Sequence, residues 1–141
     1  MKPSGIKKKI FKPLFAIVLI IVTTTVIYSN VYQCPFIFDD LDGIIKQPKI
    51  RSISNYLSFE QLIQSRGPVN LTFALNYRFG NLNVFGYHLI NVFVHAINGI
   101  LVYFLSLILF KHLIPHRSRS SSFMALFSAL IFTAHPVQTQ A

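Results

Sequence analysis

The chain has 141 residues, of which 52% are hydrophobic and 12% charged, with a formal net charge of +9. Soluble domains carry roughly 25% charged residues, so this balance excludes an ordinary soluble domain. Disorder is excluded as well, because it needs low hydrophobicity and high charge. One cysteine, Cys34, rules out an internal disulfide framework and a zinc site built on paired cysteines.

The positive charge reads as membrane topology. Lys2, Lys7, Lys8, Lys9 and Lys12 precede the first apolar segment, the pattern of a cytoplasmic flank. No soluble basic face is visible, so no nucleic-acid partner is expected. Residues 1–13 are read as a basic cytoplasmic N-terminus and residues 14–32 as a first transmembrane helix. That segment, LFAIVLIIVTTTVIYSNVY, is uncharged over about the 20 residues that a crossing needs. A cleaved signal peptide is the alternative. The long apolar run and the lack of a small-residue cleavage pattern favour an uncleaved helix.

Residues 33–83 hold all four acids, Asp39, Asp40, Asp42 and Glu60, and form a more polar external loop. Within it, SISNYLSFEQLIQS (52–65) suits a short amphipathic helix on the bilayer surface. LTFALNYRF (71–79) is a second helical candidate, which Gly80 would stop. Residues 84–110 are uncharged apart from histidine and are read as the second transmembrane helix. A basic cytoplasmic loop follows at 111–122, then a third transmembrane helix at 123–137 and an external end at 138–141. The expected fold is all-α and integral to the membrane, with about three spanning helices. The loop carries the short amphipathic helices.

Two polar features stand out. His88, Asn91, His95 and Asn98 fall within about an 80° arc of one helix. A polar stripe facing lipid is costly, so it should face other helices or a water-filled cavity. For His95 and Asn98, hydrogen bonding between helices is the simpler reading. The second feature is FIFDD (36–40), where an apolar run delivers two adjacent carboxylates to the outer face. Adjacent carboxylates raise one another's pKa, more so in a partly desolvated site. Such a group can act as a general base toward a hydroxyl or hold a divalent cation. An interfacial Asp/Gly turn is the plainer reading.

FIFDD, then RGPVNLTFALNYRFGNLNVFGYHLINVFVHAINGILVYFL (66–105), then LIFTAHPVQTQA (130–141), appear in an order that resembles a known family. It is that of the multi-pass GT-C glycosyltransferases with C-terminal tetratricopeptide repeats, the transmembrane O-mannosyltransferase-like proteins and their bacterial relatives. The resemblance implies a sugar donor linked to polyprenyl or dolichyl phosphate. It also implies a hydroxyl acceptor, such as a protein Ser or Thr, and chemistry on the external or lumenal face. No cofactor or resident metal is implied; membrane lipid is the surrounding partner. By this resemblance Asp39 and Asp40 are the catalytic pair, one taking the proton from the acceptor hydroxyl. Arg66, His88, Asn91 and His135 become substrate-binding residues, with Arg66 on the donor phosphate. The membrane would be the bacterial inner membrane, or that of the endoplasmic reticulum.

Two departures from the family pattern are present. Gly67 follows Arg66 where the family reads Pro, and Gln138 and Gln140 stand where it places a Glu after HPV. Since further helices and repeats belong to the family, the chain is expected to be an N-terminal piece with an incomplete bundle. The alternative is a truncated, inactive membrane protein or scaffold.

Overall fold

The computed structural model describes residues 13–64, 66–114 and 118–135. The N-terminal lysines up to Lys12, and Pro136, Gln138 and Gln140, lie outside the described residues. Among the described residues the fold is helical throughout, without strands. The helices are α1 (Pro13–Ile27), α2 (Phe59–Ile63), α3 (Gly67–Gly80), α4 (Val84–Leu113) and α5 (Ser118–Ala134). Short helical turns join α1 to α2 at Val31–Gln33, Leu41–Ile45, Pro48–Arg51 and Ile53–Tyr56.

Among the described residues one helix, α4, is long and apolar enough to cross a membrane; it has 30 residues. The first and last apolar segments form shorter helices, of 15 residues in α1 and 17 in α5. At 1.5 Å per residue these reach roughly 22 and 26 Å, below the ~30 Å hydrocarbon core. The span expected at 14–32 thus stops being α-helical at Ile27. Local chemistry accounts for it. Thr24 and Thr25 hydroxyls bond back to the carbonyls of Ile20 and Ile21 at 2.8 and 2.9 Å. Ser29 and Asn30 then favour the turn that leads into Val31–Gln33.

The chain divides into two compact units: residues 28–93, and residues up to 27 together with 94 onward. In the second of these, α1, the later part of α4 and α5 pack around Ala16, Ile20, Tyr103, Leu107, Ala125, Leu126 and Ala129. Small residues let the helix backbones approach, the usual contact between helices in lipid. Gly99 shows the limit of that approach: a Cβ there would stand 3.1 Å from Ile20 Cγ2 and nearer still to Thr133 Cγ2. The outward faces stay apolar, with Phe15, Val18, Val26, Leu101, Leu105, Ile108, Phe123 and Phe127 all exposed.

The unit of residues 28–93 has its own core of Ile44, Ile50, Tyr56, Ala74 and Tyr87. The single amphipathic helix expected over 52–65 is not formed. Ser58 divides it, its hydroxyl accepting from the Gln61 N–H at 3.4 Å as the N-cap of α2. The first half winds instead as a 3-10 turn that buries Tyr56. Helix α3 starts earlier than expected, with Pro68 in its first turn, and ends where Asn81 takes φ +52°. Gly67 is buried at the α2–α3 junction, where a Cβ would meet the carbonyl oxygens of Gln61 and Leu62.

Candidate functional site

The acidic pair lies in the 28–93 unit on a segment anchored from both sides. Phe36 packs edge-on against Tyr87, with ring centroids 5.2 Å apart and an interplanar angle of 85°. Ile44, just after the acids, is 2% exposed in the core. Between these anchors Ile37 and Phe38 point outward. Phe38 takes φ +49°, a left-handed conformation uncommon for a bulky side chain. That reversal allows two tight turn bonds, Asp40 N–H to Ile37 O and Leu41 N–H to Phe38 O, both 3.1 Å. Asp39 and Asp40 are thereby held on a sharp bend. Sequence reading missed Phe38, because a positive φ at Phe leaves no compositional signal.

The two carboxylates differ. Asp39 is 91% exposed and stands 3.8 Å from a terminal nitrogen of Arg66. Asp40 is half-buried and opens the Leu41–Ile45 turn. Asp42 is engaged elsewhere, in an ion pair with Lys46 at 2.9 Å one turn on. The partial desolvation expected of the pair is therefore absent at Asp39. The Asp39–Arg66 contact is exposed at both ends, so it contributes at most about 1 kcal/mol to stability. Its interest is chemical, as a carboxylate and a guanidinium held together from distant parts of the sequence.

The other expected site residues are distributed. His88 donates its Nε2–H to the carbonyl of Cys34 at 3.0 Å, tying the start of α4 to the segment that precedes the acids. Asn91 lies on the exposed side of α4. His135 belongs to the other unit, beyond the end of α5, and is exposed. The polar stripe of α4 is likewise divided. His95 donates to the Thr133 carbonyl at 3.2 Å and lies against the Phe132 ring, whereas Asn98 is exposed. Among the described residues no group of three or more His, Cys, Asp or Glu side chains could hold a metal.

Comparison with known proteins agrees with the resemblance drawn from FIFDD, FALNY and GYHLIN. The chain is 29% identical over 138 residues to the human protein O-mannosyl-transferase TMTC3, covering 89% of this chain and 14% of that protein. The Drosophila melanogaster protein O-mannosyl-transferase Tmtc3 is 30% identical over 146 residues, covering 86% and 16%. A Caenorhabditis elegans protein O-mannosyl-transferase is 28% identical over 140 residues, covering 87% and 19%. The chain thus spans less than a fifth of the length of these relatives. No family model and no solved structure matches it.

Proposed function

We propose that the chain is the N-terminal part of a membrane glycosyltransferase of mannosyltransferase type. It would transfer a sugar from a lipid-phosphate-linked donor to a hydroxyl acceptor on the external or lumenal face. The observation that carries this reading is the Asp39–Arg66 pair at 3.8 Å, in a chain similar over most of its length to proteins named O-mannosyl-transferases. In this reading α4 spans the bilayer, and α1 and α5 cross it with their flanking residues in the interface. The basic N-terminus and the basic stretch after α4 then face the cytoplasm, and residues 33–83 lie outside.

The two charges divide the work. Arg66 offers a planar guanidinium to the donor phosphate, a geometry suited to bidentate anion binding. Phosphate binding draws Arg66 away from Asp39. One of Asp39 and Asp40 accepts the acceptor's hydroxyl proton, and the oxygen attacks the anomeric carbon as the lipid phosphate leaves. Asp40, half-buried, is the carboxylate better shielded from bulk water. His88 holds the segment through the Cys34 carbonyl, and Asn91 and His135 remain candidates for substrate contact.

The test is sugar transfer from polyprenyl-phosphate mannose to a Ser/Thr peptide, using membranes that contain the full-length protein. Asp39→Asn and Asp40→Asn should each be compared with the unaltered protein at equal abundance. At least one should abolish transfer. Unchanged transfer in both variants overturns the base assignment. Stable insertion of the full-length protein without any transfer favours the scaffold reading.

A further inference from the structure

The bend that carries the acids has two faces. Its inner face packs on the core of the 28–93 unit. Ile44 is buried there, and a Cβ at Gly43 would stand 3.9 Å from the Phe73 ring of α3. Its outer face is apolar and uncovered. Phe38 is 86% exposed, and Ile37, Leu41 and Ile45 are exposed with it. Leu41 and Ile45, four residues apart, share one side of the Leu41–Ile45 turn, and Ile37 and Phe38 come just before it. A single exposed apolar side chain needs no explanation, whereas a group of them marks an interaction surface. The φ of +49° at Phe38 is costly for a bulky residue. In water that cost exposes a ring and gains nothing; against lipid the same ring is buried.

Three contacts set the level of this face. The Tyr32 and Phe85 ring centroids are 5.4 Å apart, the Cys34 carbonyl is 3.0 Å from His88 Nε2, and Phe36 meets Tyr87 edge-on. Phe85, Tyr87 and His88 all lie in the opening turns of α4. From Phe36 to Phe38 the chain reaches at most about 7 Å. The outer face of the bend is therefore close to the point where the membrane helix begins, and lipid is the neighbour available there. Charge agrees with a lipid partner. Asp39 stands beside Arg66 and Asp42 pairs with Lys46, so no block of unpaired like charge flanks the patch to recruit an acidic or basic protein. We infer that, with α4 spanning the bilayer and residues 33–83 outside as proposed above, Ile37, Phe38, Leu41 and Ile45 sink into the outer headgroup/acyl boundary of a zwitterionic bilayer. This anchor holds the Asp39–Arg66 pair at the depth of the phospholipid phosphates, where a lipid-linked phosphate also lies.

The chain contains no Trp, so Phe38→Trp and Ile45→Trp each place a single indole on the patch. Ser54→Trp places one on a polar surface of the same unit, beside Lys49, Asn55 and Gln61. Each variant is reconstituted in phosphatidylcholine vesicles. The Phe38→Trp and Ile45→Trp indoles should emit to the blue of the Ser54→Trp indole. They should be quenched by phosphatidylcholine brominated near the glycerol end of its acyl chains, at a depth of about 5–10 Å into the headgroup/acyl boundary. The Ser54→Trp indole should instead be quenched by acrylamide in the water. Adding Leu41→Gln to Phe38→Trp should reduce the lipid quenching and raise the acrylamide quenching. Ile45→Trp decides the matter if Phe38→Trp fails to fold. Asp39→Asn should leave the quenching unchanged, so a failed transfer reaction and a failed anchor are distinguishable. Acrylamide quenching of the patch indoles without lipid quenching, lipid quenching equal to that of Ser54→Trp, or a blue shift that depends on protein concentration rather than on lipid would each overturn the inference.

Discussion

Arg66 at the head of α3 reaches to within 3.8 Å of the Asp39 carboxylate, with both side chains open to solvent. The pair is held by its two scaffolds rather than by its own attraction. Removing it should therefore leave the fold intact. Arg66→Gln is expected to change the unfolding midpoint negligibly. In the transfer assay the same variant should lose about 10- to 100-fold in kcat/KM, expressed mainly as a higher KM for the lipid-phosphate donor. That range corresponds to loss of one hydrogen-bonded charge contact of roughly 1.5–3 kcal/mol. Arg66→Lys should recover part of it, because lysine keeps the charge and loses the planar fork. A fall in kcat with donor KM unchanged would refute the phosphate assignment.

Gly67 supports the same site from behind. Any Cβ at that position overlaps the α2 backbone carbonyls, which cannot move as a flexible side chain would. Gly67→Ala is expected to destabilise the 28–93 unit by about 1–3 kcal/mol, the range of core overpacking. Limited proteolysis should register this as faster cleavage within residues 52–66. An Ala variant as resistant as the original chain would show that α2 can shift freely.

His95 and Gly99 make the corresponding point in the other unit. His95 bridges α4 to the Thr133 carbonyl of α5, and Gly99 allows the close contact with Thr133 and Ile20. His95→Leu should lower stability in detergent by about 0.5–2 kcal/mol, as for single polar contacts between membrane helices. Gly99→Leu should cost more, because a bulky side chain forces the three helices apart. Glycosyl transfer by a stably folded His95→Leu protein should persist. Selective loss of transfer at unchanged stability would give His95 a chemical role.

Topology is open to a direct check. With Cys34 replaced by Ala, single cysteines at Ser54 and Ser120 should react with an impermeant thiol reagent from opposite sides of the membrane. Both positions are exposed. Labelling from the same side would remove the acidic pair from the external face.

Much of the secondary structure was legible because composition acts locally. The long uncharged run after Asn83 could only be an apolar helix, and α4 begins at Val84 as expected. The order FIFDD, FALNY, GYHLIN resembles that of the O-mannosyltransferase-like family, and the relatives the chain matches are named protein O-mannosyl-transferases. Ends and breaks were less legible. Ser58 turned one expected amphipathic helix into a 3-10 turn and a short α-helix, since one capping hydroxyl outweighed a weak apolar periodicity. The apolar segment at 14–32 became a 15-residue helix because its threonines and the Ser-Asn pair compete for backbone hydrogen bonds.

The residue types available for chemistry, the helical character of the chain and the clustering of basic residues beside apolar runs followed from sequence, because each depends on neighbours along the chain. Tertiary structure decided which charges meet. It paired Asp39 with distant Arg66, and it divided the α4 polar stripe between the Cys34 and Thr133 carbonyls. It also left the Asn76 amide nitrogen buried without a partner among the described residues. Those outcomes depend on contacts between segments remote in sequence, and no local propensity encodes them.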